Sequence, residues 1–216
     1  IENWEPEADF PPDLRPLRWP EADGLGSAEK FVVLYLGNAG YGHEFETVFK
    51  AAAQLKPEDF AFVFVGGGVG WDRIRESRES LGLANLHVHG YVQREATASV
   101  MAAAHCALVT LHDDFLGVIS PSKIHANLAM GLPLAYVGPE GGNVDLAIRR
   151  FDCGVSLRHG DVDGLVTFLR RLKSEPVEHQ AYRRRARRAF EEAYSDAVAL
   201  PKFDRILDQL VAQTSS

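Results

Sequence analysis

Residues 31–43 read FVVLYLGNAGYGH, and residues 60–70 read FAFVFVGGGVG. Each begins with six apolar residues (31–36 and 60–65) and breaks into glycines. An amphipathic stretch follows each, over 43–55 and 71–81. A short run apolar at every position, not every second one, is a strand covered on both faces. A strand, a glycine turn and a helix, repeated, make βα units. Further strands are predicted at 86–88, 106–111, 134–137 and 154–157. Helices are predicted near 94–104, 122–130, 144–150, 161–173, 179–194 and 202–213. The sum is an α/β fold: a doubly wound, mostly parallel sheet of about six strands, Rossmann-like.

The first thirty residues differ. Five of the eleven prolines stand at Pro6, Pro11, Pro12, Pro16 and Pro20, among acids and beside Trp4 and Trp19. Proline lacks the N–H that helices and central strands need, so residues 1–30 read as an extended linker or strap held by its tryptophans, ending in a turn over 23–27. The division is therefore strap 1–30, domain 31–200 and a C-terminal helix over 201–216. That helix carries Phe203, Ile206, Leu207 and Leu210 at helical spacing, a stripe expected to face a partner domain and to be partly exposed.

Composition narrows the class. The chain has 216 residues, 46% hydrophobic and 25% charged, enough for one packed core. A net charge of −7 offers no broad basic surface for nucleic acid. Cys106 and Cys153 sit in apolar surroundings and make neither a disulfide framework nor a zinc site, which suits a reducing cytoplasm. No apolar run reaches about 18 residues and no basic-then-apolar leader opens the chain. It begins on Ile1 instead of methionine, so we expect a piece of a longer protein.

In a doubly wound sheet, ligands bind beyond the carboxyl ends of the strands. The first turn, GNAGYGH, holds Gly37, Gly40 and Gly42, which either admit an anion close to the backbone or simply make a tight turn. Its G-x-x-G-x-G spacing is not the dinucleotide G-x-G-x-x-G, and Glu58 and Asp59 precede the second strand where a ribose acid would end it, which argues against NAD. In SPSK, residues 120–123, Ser120 and Ser122 offer hydroxyls and a helix cap, and Lys123 adds a full charge. Its plain alternative is a capped helix with a solvated lysine. Gly67 and Gly68 suggest close backbone approach, and Tyr91 with Val92 offers a surface for a flat base. His87 and His89 share a strand face, but no cysteine or carboxylate nearby completes a metal site. Asp113 and Asp114 read as a polar loop end. The arginines 183–185, 187 and 188 read as a solvated or interdomain face, with membrane-surface contact the sharper alternative. His125 and Asn127 fit a ligand contact or helix packing equally.

Taken in order, IENW (1–4), VLYLGNAGYGH (33–43), FVFVGGG (62–68), HVHGYV (87–92), SPSK with LAMGLPLA (128–135), and CGV (153–155) followed by Gly160 and Asp161 resemble the C-terminal, donor-binding domain of GT-B glycosyltransferases. The likeness is to the retaining group 4 type that builds bacterial capsule, colanic-acid and O-antigen polysaccharides, over residues 1 to about 195. It implies that a UDP- or GDP-sugar places its diphosphate against Gly37, Asn38, Gly40, Gly42, His43, Ser120, Ser122 and Lys123. It further implies a base against Gly67, Tyr91 and Val92, and a sugar near Gly141, Gly142 and Asn143. Transfer would proceed on one face of the sugar, the donor phosphate taking the acceptor proton, without metal or cofactor. The chain departs from the pattern at Val118 and Ala126, where many relatives carry two glutamates, the second binding ribose. It departs again at His43 and Glu44, which replace an arginine and lysine pair. The implied partners are the donor and an N-terminal acceptor domain, with the complete enzyme cytoplasmic or at the inner membrane face. A degenerate nucleotide-sugar module and a nucleotide-sugar 2-epimerase on the same fold remain the alternatives, the second weakened by the missing glutamate at Ala126.

Overall fold

The computed structural model describes residues 3–11 and 30–214. Six parallel strands form one sheet: β1 (Phe31–Asn38), β2 (Phe60–Gly67), β3 (Leu86–His89), β4 (Cys106–Thr110), β5 (Leu134–Val137) and β6 (Gly154–Leu157). Their spatial order is β3-β2-β1-β4-β5-β6. The chain winds outward from β1 in one direction and from β4 in the other, so a crevice opens between the carboxyl ends of these two strands.

Strand periodicity sorts the core. Phe31, Val33, Tyr35, Phe60, Phe62 and Phe64 face one layer, and Val32, Leu34, Ala61, Val63 and Val65 the other. The first layer is closed by α1 (Glu46–Gln54), α2 (Trp71–Ser80) and α6 (Val162–Ser174). The second is closed by α3 (Arg94–Ala102), α4 (Lys123–Ala129), α5 (Asn143–Phe151) and most of α7 (Pro176–Ala189), with a π-turn at Phe190–Tyr194. Burial on both sides explains why these strands read as unbroken apolar runs.

Several boundaries differ from expectation. Strands β1 and β2 run two residues into their glycines, because Gly37 pairs with Gly66 and Asn38 with Gly67. Gly66 has φ +139°, and a Cβ there would stand 2.2 Å from the Gly37 carbonyl oxygen. Helix α1 starts at Glu46, three residues after His43, since residues 40–43 close a turn in which the His43 N–H donates to Gly40 O. Helix α8 (Asp196–Thr214) starts well before Pro201, which lies inside it. Its first turn is held from outside: Glu5 bridges Ser195, the Asp196 N–H donates to Glu5 O, and Asp196 Oδ1 accepts from Glu7 N–H. Those bonds outweigh the proline's usual preference for a helix start.

Of the strap, residues 3–11 lie against this corner. Trp4 packs edge-on to Phe203 at 5.6 Å, and Phe10 is buried beneath a short 3₁₀ turn at Glu7–Asp9. The expected contact of Trp19 and the turn over 23–27 lie outside the described residues. Phe203, Ile206, Leu207 and Leu210, the stripe on α8, are each 42–53% exposed.

The arginine run is not a solvated face. Arg183 donates to Ala104 O and Met130 O, Arg185 to Asp152 O, and Arg187 to Phe10 O and Ala129 O. All but the Phe10 carbonyl lie at the ends of α3, α4 and α5, where the backbone runs out of N–H partners and partial negative charge collects. Only Arg184 and Arg188 of the five are exposed, and Arg188 pairs with Glu192 one turn on.

Candidate functional site

The crevice at the β1/β4 switch point encloses about 480 Å³. It is lined by Gly37, Asn38, Gly40, Gly42, His43, Ser120, Ser122 and Lys123, all eight residues expected to meet a diphosphate, together with Glu5, Leu36, Tyr41, Phe115, Ile119 and Pro121. Gly37, with φ +128°, needs glycine's conformational freedom, while a Cβ on Gly42 would stand 2.5 Å from Ile119 Cδ1, the movable end of that side chain.

Lys123 is the unusual member. Its Nζ is sealed from solvent and donates no hydrogen bond among the described residues. It lies 3.6 Å from the centre of the Tyr35 ring, and a Cβ on Gly37 would stand 3.8 Å from it. Burial pulls its pKa down from 10.5 to about 7. The ring face returns part of the lost hydration as a cation–π contact. Tyr35 is itself fully buried, its hydroxyl donating to Asn38 O at 2.9 Å, and burial raises its pKa. The plain reading of a solvated lysine is thus excluded. Ser122 occupies the cap position of α4, but its side chain makes no capping hydrogen bond, contrary to expectation: its backbone is already helical (φ −65°, ψ −24°), whereas a capping side chain needs an extended one.

The glycines of the second turn serve contact between loops. A Cβ on Gly68 would strike Asn38 Oδ1 at 2.2 Å and Ala39 O at 2.7 Å, and one on Gly67 would strike the Tyr91 ring at 2.6 Å. Ala39 N–H donates to Gly67 O, and Gly70 N–H to Ala39 O. Tyr91 is 71% exposed, with its hydroxyl 3.5 Å from Asn38 Oδ1, while Val92 packs against the core. Gly67, Tyr91 and Val92 therefore stand beside the crevice without lining it.

The turn at 139–143 lies beyond β5. A Cβ on Gly142 would stand 3.5 Å from Leu116 Cδ1, which places the turn beside the β4–α4 loop. Asn143 lines an adjoining hollow of about 420 Å³ with His125, Arg150 and Tyr194, and Ser120 is common to both cavities. His125 is buried, its Nδ1 2.8 Å from Ser122 O, and burial lowers its pKa. Ala126 packs against the core.

Asp145 went unread in the sequence. It is fully buried, its Oδ2 accepting from Gly141 N–H at 2.8 Å and its Oδ1 from Ser156 Oγ at 2.6 Å and Arg158 Nη2 at 3.1 Å, with Arg149 alongside at 3.2 Å. Burial pushes its pKa up, but the hydrogen bonds from Ser156 and Gly141 and the charges of Arg149 and Arg158 outweigh this and hold it below the usual range. A single aspartate among Val144, Leu146, Ala147 and Ile148 was the available signal.

On the other side of His43 a second hollow of about 620 Å³ is lined by Tyr41, Glu44, Thr47, His112, Asp113 and His159, among others. His159 Nδ1 meets Glu44 Oε2 at 2.8 Å and its Nε2 meets Leu111 O at 3.0 Å. Among the described residues no three or more His, Cys, Asp or Glu side chains are arranged to hold a metal ion. No described helix is long and apolar enough to cross a membrane. Cys106 and Cys153 are free and buried, and burial raises both thiol pKa values.

A family model, glycosyl transferases group 1, matches residues 21–189. The chain is similar to the probable glycosyltransferase WbjE of Pseudomonas aeruginosa, 24% identical over 218 residues, which cover 99% of this chain and 53% of WbjE. It is also similar to the putative colanic acid biosynthesis glycosyl transferase WcaI of Escherichia coli K12, 30% identical over 102 residues, or 47% of this chain and 25% of WcaI. The chain thus spans about half the length of WbjE. Among solved structures, sucrose-phosphate synthase from Thermosynechococcus elongatus superposes with a TM-score of 0.76 at 20% identity, covering 99% of this chain and 52% of that one. Anabaena HepE in complex with UDP and glucose superposes with a TM-score of 0.75 at 16% identity, covering 96% and 56%. These two likenesses are of fold, the Rossmann-like half of a GT-B architecture. The family match over residues 21–189 makes this chain a member of the glycosyl transferases group 1 family.

Proposed function

We propose that this chain is the donor-binding half of a glycosyltransferase of bacterial polysaccharide assembly, taking a UDP- or GDP-sugar and transferring the sugar with retention. The observation that carries the reading is Lys123: a buried amine without a hydrogen-bond partner, beside a glycine-walled crevice at the switch point of the sheet. A bound diphosphate would supply the anion that the fold withholds, and a charge-assisted hydrogen bond of that kind contributes about 1.5–3 kcal/mol. Gly37, Asn38, Gly40, Gly42, Ser120 and Ser122 surround the same space. The base would lie on Tyr91, Gly67 and Val92, and the sugar toward Gly141, Gly142 and Asn143. The UDP and glucose of the HepE complex fit this assignment of ligand class. No metal or cofactor has a role in the reading.

The acceptor would come from an N-terminal half, and the assembled enzyme would work in the cytoplasm or at the inner membrane face. Because donor and acceptor groups converge from two halves, the 216-residue chain alone is expected to bind donor without transferring sugar. Calorimetric titration with UDP, GDP and their sugar conjugates, repeated on Lys123→Ala, tests this. One nucleotide should bind, at least about tenfold more weakly to the variant. Absence of binding at millimolar nucleotide would leave a degenerate module, and robust transfer by the chain alone would refute the two-half assignment.

A further inference from the structure

His43 stands at the boundary of the two larger cavities and lines both. Its Nδ1 lies 2.8 Å from Thr110 O, an atom that can only accept, so Nδ1 carries the proton. The ring is clamped, near-parallel to Phe45 at 6.1 Å and edge-on to Tyr35 at 5.7 Å. Burial first, and then the nearby Lys123 amine, lower its pKa to about 4 against the opposing hydrogen bond to Thr110. The imidazole is therefore neutral at pH 7, and Nε2 is a bare lone pair. Among the described residues Nε2 takes no hydrogen bond, and it is not one of the sealed atoms, so it is accessible on a residue that lines both cavities.

This chemistry does not suit a diphosphate, which presents acceptors. Much of the cleft supplies donors, namely the Lys123 amine, the Ser120 and Ser122 hydroxyls and the backbone of the glycine loop, with Glu5 and Asn38 also in its lining. An acceptor set among them reads an O–H. Position says which one. Tyr91 and Gly67 lie over β2 and β3 and the glycine loop follows β1, whereas His43 is tied to the end of β4, one strand short of the 139–143 turn beyond β5.

We propose that His43 is a specificity residue whose Nε2 accepts a hydrogen bond from a hydroxyl of the transferred sugar, at the end of the crevice away from the base loops. The inference rests on the donor-site reading above and reassigns His43 within it from phosphate to sugar.

The test compares affinities of the chain for UDP against UDP-glucose and for GDP against GDP-mannose, in wild type, His43→Phe and His43→Gln. Phe keeps the ring clamp and removes the acceptor, while Gln keeps an acceptor oxygen. The preference for conjugate over nucleotide should fall about fivefold in His43→Phe, the worth of one neutral hydrogen bond, and recover in part in His43→Gln. Nitrogen NMR of the wild type should show the Nδ1–H tautomer with an unprotonated Nε2 that shifts on adding conjugate and stays in place on adding nucleotide. An unchanged preference in His43→Phe, an Nε2–H tautomer, or a wild type that prefers neither conjugate overturns the proposal. Failure to bind either nucleotide strikes the donor-site reading, and the tautomer measurement separates that outcome because it needs no ligand.

Discussion

Replacing Lys123 by Met should stabilise the chain while weakening donor binding. The amine sits at about 7 in the fold, against 10.5 in water. At about 1.4 kcal/mol per tenfold change in proton affinity, that difference is an upper bound of about 5 kcal/mol of folding free energy lost at neutral pH. The cation–π contact with Tyr35, worth about 2 kcal/mol when desolvated, vanishes in the variant and offsets part of the gain. Methionine fills a similar volume without a charge, so a net gain of about 2–3 kcal/mol is expected. For a chain of this size that is a rise in Tm of about 4–12 °C. The pH dependence identifies the cause. Between pH 7 and about 10.4 the unfolded chain binds the Lys123 proton and the fold does not, so wild-type stability rises with pH across that window. The advantage of Lys123→Met is then complete at pH 7 and below, shrinks as pH rises and is gone above about 10.4. Thermal unfolding of both chains at pH 7, 8.5 and 10 measures it, and titration with the cognate nucleotide should show a loss of about tenfold or more in the same variant. A Lys123→Met variant equal to or less stable than wild type at pH 7, or a gain indifferent to pH, would mean that the buried amine does not destabilise the fold.

Other outcomes follow from the same geometry. Donor binding should take up a proton above about pH 7.5, as an anion raises the Lys123 pKa from about 7; the heat of binding then changes between buffers of different ionisation enthalpy, and affinity grows as pH falls toward 7. Gly66→Ala places a side chain at φ +139° against the Gly37 carbonyl and should cost about 3 kcal/mol or more, read as a lower urea midpoint; a loss below about 1 kcal/mol would mean that β1 and β2 separate easily at that end. Asp145→Asn removes the buried anion from the half-exposed Arg149 and Arg158 and should cost about 1.5–3 kcal/mol at pH 7. Because the Asp145 pKa is lowered in the fold, that deficit should shrink as pH falls below about 4, and a deficit constant down to pH 3 would count against the ion pairs. Burial lowers the His105 pKa to about 4, so stability should fall as pH drops from 6.5 toward 4, and His105→Gln should flatten that decline.

The fold was legible because parity along a strand is a local property: Phe31, Val33 and Tyr35 must part from Val32 and Leu34 whatever surrounds them. What escaped was set by partners far along the chain. The arginines of α7 look solvated in a short window of sequence, yet Arg183 and Arg187 end up on carbonyls 53–79 and 58–177 positions away. Pro201 looks like a helix start until Glu5 and Glu7 are found holding the turn before it.

The site was legible in a different sense. The glycines that first drew attention to the crevice are explained, for the most part, by packing: Gly66 against Gly37, Gly68 against Asn38 and Ala39, Gly67 against Tyr91. A loop pair that must stack this closely would need glycine whether or not it held a ligand, so the glycine pattern alone cannot tell a cradle from a turn. Lys123 can. Nothing in the packing of the fold requires a cation over Tyr35, where an apolar side chain would be the more stable choice, and its amine finds no acceptor. A buried charge that lowers stability and meets no acceptor is the observation on which the proposed anion site at the switch point of this sheet rests. The functional weight therefore moves from the glycine motifs to one lysine, and the two opposed effects of Lys123→Met put that shift to the test in a single variant.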